Sequence, residues 1–106
     1  MNEYLLVIST VSSKDEGNAI AQKIVEERLA ACVSVSSAVQ SFYWWEERIA
    51  NDQEFILFIK TKVSLFSKLQ ERVKTLHSYQ VPEIIALPVQ TGSKDYLDWI
   101  NLNTQS

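Results

Sequence analysis

Four runs rich in β-forming residues, separated by two segments whose apolar residues recur every three or four positions, predict an α+β fold. Such a chain builds one sheet and packs its helices on a single face. The runs are EYLLVIST (residues 3 to 10), CVSVSSAVQSFYWW (32 to 45), EFILFIKT (54 to 61) and the stretch from Val81 to Val89. Read in order the elements are β-α-β-β-α-β, closed by a third, shorter helix.

The first strand runs into Ser13, with Glu16 three residues later, the pairing that satisfies free N–H groups in a helix's first turn. Ala21, Val25 and Leu29, with Ile20 and Ile24 alongside, make that helix's apolar stripe, which ends near Ala31. In the next strand, uninterrupted alternation puts Val33, Val35, Val39, Tyr43 and Trp45 on one face, with Phe42 and Trp44 on the other. The EERI that follows is short enough for a hairpin turn. It has neither glycine nor asparagine, so one of Glu46 to Arg48 is expected in a strained conformation with positive φ. A second helix is predicted from about Ser64 to His77, with Leu65, Phe66, Leu69, Val73 and Leu76 on its apolar side. Pro82 and Pro88 bracket EIIAL and limit how far the last strand pairs, because proline has no N–H to donate. Ser93 is expected to cap the third helix, with Asp95 near its positive end and Tyr96, Trp99 and Ile100 as its docking face. The six main elements follow the split βαβ pattern of ferredoxin-like folds.

Composition narrows the function classes. With 106 residues, 46% of them hydrophobic, the chain fits one domain over residues 1 to 106 that buries a core without staples. Ten Lys plus Arg against thirteen Asp plus Glu give a net charge of -3. This opposes nucleic-acid binding, which needs concentrated positive charge. The only cysteine, Cys32, cannot form an internal disulfide, and the N-terminal run fits neither a signal peptide nor a membrane span. The expected location is the cytoplasm, with no membrane partner. Two glycines, Gly17 and Gly92, leave no Gly-rich phosphate loop.

The hairpin raises the main functional question. Phe42, Tyr43, Trp44 and Trp45 are four consecutive aromatics, so both faces of one strand carry large apolar groups. A two-layer domain covers one face of its sheet with its own helices, so the other points to a partner, a ligand or a second copy of the chain.

The segments ERLAACVSV, SFYWWEERI, FIKTK, LHSYQVPEIIALPV and DYLDWI, in this order and spacing, resemble the CutA divalent-cation-tolerance family. The resemblance spans nearly the whole chain. It implies a ferredoxin-like subunit in a tight homotrimer similar to the PII signalling proteins, linked to copper and other divalent cations. It also implies that the hairpin reaches neighbouring subunits, which makes Phe42, Tyr43, Trp44 and Trp45 trimer-interface anchors.

Two sets of residues are candidates for chemistry. Cys32 and His77 are the sulfur and imidazole donors that suit copper, although Cys32 also reads as a small buried hydrophobe and His77 as a helix-end histidine. Relatives associated with copper carry further donors where this chain has Ser9 and Leu76, so a complete ligand set is not expected from these two alone. A small-ligand cleft between subunits, as in the PII-like arrangement, would use Tyr43 and Trp45 with Lys60 and Glu83 as opposite charges. No ion is expected to be needed for folding. Two alternatives stand beside a non-enzymatic binding protein: an enzyme using His77 or Glu83, and an RNA-binding module using sheet aromatics.

Overall fold

The strands form where β-branched and aromatic residues cluster, and the helices where apolar residues recur at helical spacing. The computed structural model describes residues 3–106. Its elements are β1 (Tyr4–Val11), α1 (Lys14–Glu26), β2 (Cys32–Trp45), β3 (Arg48–Lys62), a 3-10 turn at Val63–Leu65, α2 (Phe66–Leu76), β4 (Ile85–Pro88) and α3 (Lys94–Leu102). The sheet order is β2-β3-β1-β4, and every neighbouring pair is antiparallel. β1 and β2 both run against the β3 that lies between them. They are therefore parallel to each other with α1 crossing over, as the split βαβ pattern predicts.

The core lies between the sheet and α1 with α2. Val7, Val11, Leu57 and Ile59 from the sheet meet Ile20, Ile24, Leu69 and Val73 from the helices, all of them buried. Each such side chain stabilises the fold by about 1.5–3 kcal/mol relative to exposure. Helix α1 sits close to the sheet at Gly17, where a Cβ would lie 3.1 Å from Val11 and 3.3 Å from Val35. Val25 is not part of the stripe as expected and is exposed, because the helix turns Ile20 and Ile24 inward instead. Ser13 Oγ accepts the Glu16 N–H at 3.1 Å and caps α1. Ser93 stands at the start of α3 without a side-chain cap bond, and α2 begins two residues later than predicted because a 3-10 turn leads into it.

Three further departures from simple alternation position the site. First, β2 is bulged: Val35 pairs with Leu57 but Ala38 pairs with Phe55, so Ser36 and Ser37 together oppose Ile56. Ser36 Oγ accepts the Ile56 N–H at 2.7 Å, the donor that the bulge would otherwise leave unpaired. Past the bulge the parity reverses. Val39, Tyr43 and Trp45 share the face away from α1 and α2, opposite to the face of Val33 and Val35, which corrects the expected single face.

Second, the hairpin closes on two residues, Glu46 at φ 50° and Glu47 at φ 63°, between the paired Trp45 and Arg48. Both adopt the positive φ that a two-residue turn requires, where one was expected. Third, β4 is shorter than predicted. In its register with β1, Thr10 lies opposite Glu83, but the Thr10 carbonyl is already taken by His77 Nε2 at 2.7 Å. Pairing therefore stops at Ile85.

β1 reaches only Phe55 on β3, so residues 39–45 and 48–54 extend beyond the body as a two-stranded ribbon. The molecule measures 44 × 26 × 24 Å.

Candidate functional site

Along the ribbon, from its root to its tip, lies a cleft of about 570 Å³ bordered by Thr10, residues 41–45, Glu54, residues 79–81 and Glu83. Its floor is the sheet face away from α1 and α2. Glu54 reaches this face because side chains alternate along β3: Leu57 and Ile59 face the core, so Glu54, like Ile56 and Phe58, faces away from it, beside its partner Val39. It is only 8% exposed. A buried carboxylate needs hydrogen bonds to remain there, and the Tyr79 hydroxyl donates to Glu54 Oε2 at 2.6 Å. Burial and the neighbouring Glu54 carboxylate push the Tyr79 phenol well above its ordinary value, so it stays protonated and donates. Beside this pair the Tyr43 hydroxyl donates to Asp52 Oδ2, and that bond is the main cause of its raised pKa.

Tyr79 owes its position to the chain that leaves α2. His77 has a fully buried side chain, with Nε2 donating to the Thr10 carbonyl at 2.7 Å and Nδ1 accepting the Tyr79 N–H at 3.0 Å. This is the geometry of a neutral imidazole with its proton on Nε2. The Nδ1 approach to Glu16 at 3.7 Å is therefore no ion pair in this state. Glu16 instead accepts the Ser78 N–H at 2.8 Å and the Ser78 hydroxyl at 3.0 Å. Burial pushes the Glu16 carboxyl up, but these bonds and one from Ser12 outweigh it and hold the group below its ordinary value. The start of α1 thus fixes residues 77–79, and these fix the cleft wall.

The structure brings together some of the expected residues. Tyr43, Trp45 and Glu83 border the same cleft. Lys60 does not. It lies six positions beyond Glu54 along β3, about 20 Å away, with Nζ 5.4 Å over the Tyr96 ring. Within one chain, therefore, Lys60 and Glu83 do not form the expected pair of charges. Phe42 and Trp44 are 70% and 72% exposed.

Cys32 and His77 are also kept apart. Cys32 pairs with Lys60, whereas His77 holds Thr10, whose partner is Ile56. Four positions on β3 span about 13 Å. Both His77 ring nitrogens are already bonded, and among the described residues no group of three or more His, Cys, Asp or Glu is placed to hold a metal ion. Within one chain the two residues do not fit a shared copper site. Ser9 Oγ is the one buried side-chain polar atom without a partner among the described residues.

Glu54, Asp52 and Tyr79 were not singled out from the sequence. The available signal was Glu54 itself, an acid heading the apolar run EFILFI on a strand that must face a core. Chemically the cleft is rich in hydrogen-bond acceptors and aromatic faces, a binding surface more than a set of proton-transfer groups.

A family model described as "CutA1 divalent ion tolerance protein" matches residues 5–103. The chain is similar to "Divalent-cation tolerance protein CutA" of Thermus thermophilus, 48% identical over 104 residues that cover 98% of this chain and 99% of that one. It is 44% identical over 101 residues to "Protein CutA 1, chloroplastic" of Oryza sativa subsp. japonica, covering 95% of this chain and 57% of that longer protein. Among solved structures, "Structure of the Periplasmic divalent cation tolerance protein CutA from Archaeoglobus fulgidus" superposes with a TM-score of 0.93 at 36% identity, covering 96% of this chain and 99% of that one.

Proposed function

Because the chain belongs to the CutA1 divalent ion tolerance family, we propose that it acts in cation tolerance as a homotrimeric binding and signalling protein of the cytoplasm. In this reading it holds a small ligand in the cleft beside the hairpin, performs no enzymatic turnover, and takes neither nucleic acid nor membrane as a partner.

The observation that carries this reading is the ribbon. A two-stranded hairpin alone is marginally stable in water, yet this one extends past the sheet with Phe42, Trp44 and Ile49 largely exposed on one side. Half-buried Leu6, Ile8, Ile56 and Phe58, with exposed Ile85 and Leu87, lie on the sheet face that receives neither α1 nor α2. Neighbouring copies that cover these surfaces supply the missing burial. Phe42 and Trp44 then serve as anchors between subunits, while Tyr43 and Trp45 wall the ligand cleft.

Copper or another divalent cation is the expected effector, but no step of this reading passes through Cys32 and His77. The absence of turnover is supported by His77, whose two ring nitrogens are engaged in structural bonds. The cytoplasmic assignment is supported by the unpaired Cys32, and cell fractionation tests it. The assembly is tested by sedimentation equilibrium, where a trimer gives about three times the 12.1 kDa chain mass. A monomer at micromolar concentration would overturn it.

A further inference from the structure

We propose that the cleft beside the hairpin selects a small organic amine in its protonated, ammonium form. The inference rests on the reading of this cleft as a ligand site. All of its lining residues, Glu54 included, belong to one chain.

The charge balance of the cleft is one-sided. Its ionisable acids are Glu54 and Glu83, and no lysine, arginine or histidine lines it. Lys60 is engaged with the Tyr96 ring at the other end of β3. Glu54 is more than nine-tenths buried, and only its Oε2 is bonded, to Tyr79. Its Oε1 has no hydrogen-bond partner among the described residues, and it is not sealed from solvent as Ser9 Oγ is. A buried carboxylate with one free oxygen facing a cavity is half of an ion pair.

The walls decide which cation completes it. Tyr43 and Tyr79 line the cleft beside the carboxylates, and the negative quadrupole of an aromatic ring attracts a cation that sheds part of its water. Both phenol hydroxyls donate to carboxylates, so they offer an incoming group only acceptor lone pairs. Ser41 and Gln80 add further acceptors. A hard divalent cation needs several oxygens at fixed geometry, and no cluster of three acidic or metal-ligating side chains exists among the described residues. An alkylammonium needs only one carboxylate oxygen for its N–H and rings for its carbon body. At about 570 Å³ the space suits a small molecule and far exceeds a bare ion.

The test is calorimetric titration of the wild-type protein with three probes of similar shape: 2-phenylethylammonium, 2-phenylethanol and 3-phenylpropanoate. The ammonium should bind about tenfold or more tighter than the alcohol, and the carboxylate weakest of all. Glu54→Gln, close to isosteric, should reduce the ammonium-to-alcohol ratio to about one. Urea unfolding of Glu54→Gln on the same samples separates a folding defect from the loss of the charge. Equal binding of ammonium and alcohol, or an unchanged preference in Glu54→Gln, overturns the proposal. So does failure of the ammonium to bind while Glu54→Gln weakens self-association, since a cationic side chain of another copy would then occupy the cleft. Light scattering on the same samples reports the assembly state independently.

Discussion

The Tyr79 hydroxyl donates to Glu54 Oε2 at 2.6 Å and ties the loop after α2 to the middle of β3. It is the bond that keeps an 8% exposed carboxylate tolerable on a sheet face. Tyr79→Phe deletes the donor and leaves a buried acceptor unsatisfied. The variant should lose about 1.5–3 kcal/mol, the range for a hydrogen bond to a charged group, read from urea unfolding. Glu54→Gln in the same background should recover part of the loss, because a neutral amide is easier to bury unpaired than a carboxylate.

His77 invites a prediction opposite to its appearance in the sequence as a metal donor. Its ring joins the Thr10 carbonyl to the Tyr79 N–H. His77→Ala should therefore cost about 1–3 kcal/mol of stability for the two groups left unpaired and leave copper affinity unchanged in calorimetric titration. Cys32→Ser is the informative comparison, since that thiol is partly exposed and uncommitted. A copper affinity that falls in His77→Ala, with the fold intact, would return the imidazole to the metal.

Much of this was legible in the residues, and the failures have definite causes. The split βαβ order followed from periodicity, and the strained turn from the absence of glycine at Glu46 and Glu47. Parity along β2 failed because two adjacent serines can bulge without any marker in the apolar pattern, and one extra residue reverses every later side chain. Within one chain Lys60 and Glu83 belong to opposite ends of the sheet, a separation that strand ends, which look alike in a sequence, do not reveal. The Tyr79–Glu54 pair joins residues 25 positions apart, a separation that no local spacing encodes.

Acid should loosen the molecule at Glu16. Its carboxyl is held below the ordinary value, chiefly by the Ser78 bonds that outweigh its burial. A carboxyl with a lower pKa folded than unfolded stabilises the fold fully above the unfolded value, near 4.5, and loses that contribution as pH falls through the lower folded one. Stability curves of wild type and Glu16→Gln should thus be separated at neutral pH and converge in acid. Parallel curves down to the acid limit would show that Ser78 does not depend on the charge. Because Ser78 adjoins His77 and Tyr79, Glu16→Gln should also weaken probe binding in the cleft.

Assembly, and not metal, should set the stability of the whole. Trp44 is 72% exposed and pairs with Ile49 on the projecting ribbon, so removing it takes little from the monomer's own core. If it anchors a neighbour, Trp44→Ala should weaken association by about 2 kcal/mol or more and lower the sedimenting mass at micromolar concentration. Unfolding of a trimer requires dissociation, so the melting temperature should fall on dilution, and Trp44→Ala should steepen that fall. A chelator bears on the other possibility. With no cluster of three or more metal-ligating side chains among the described residues, excess EDTA should leave the melting temperature nearly unchanged. A melting temperature that ignores dilution but drops sharply with EDTA would reverse both conclusions and make an ion the element that holds the ribbon in place.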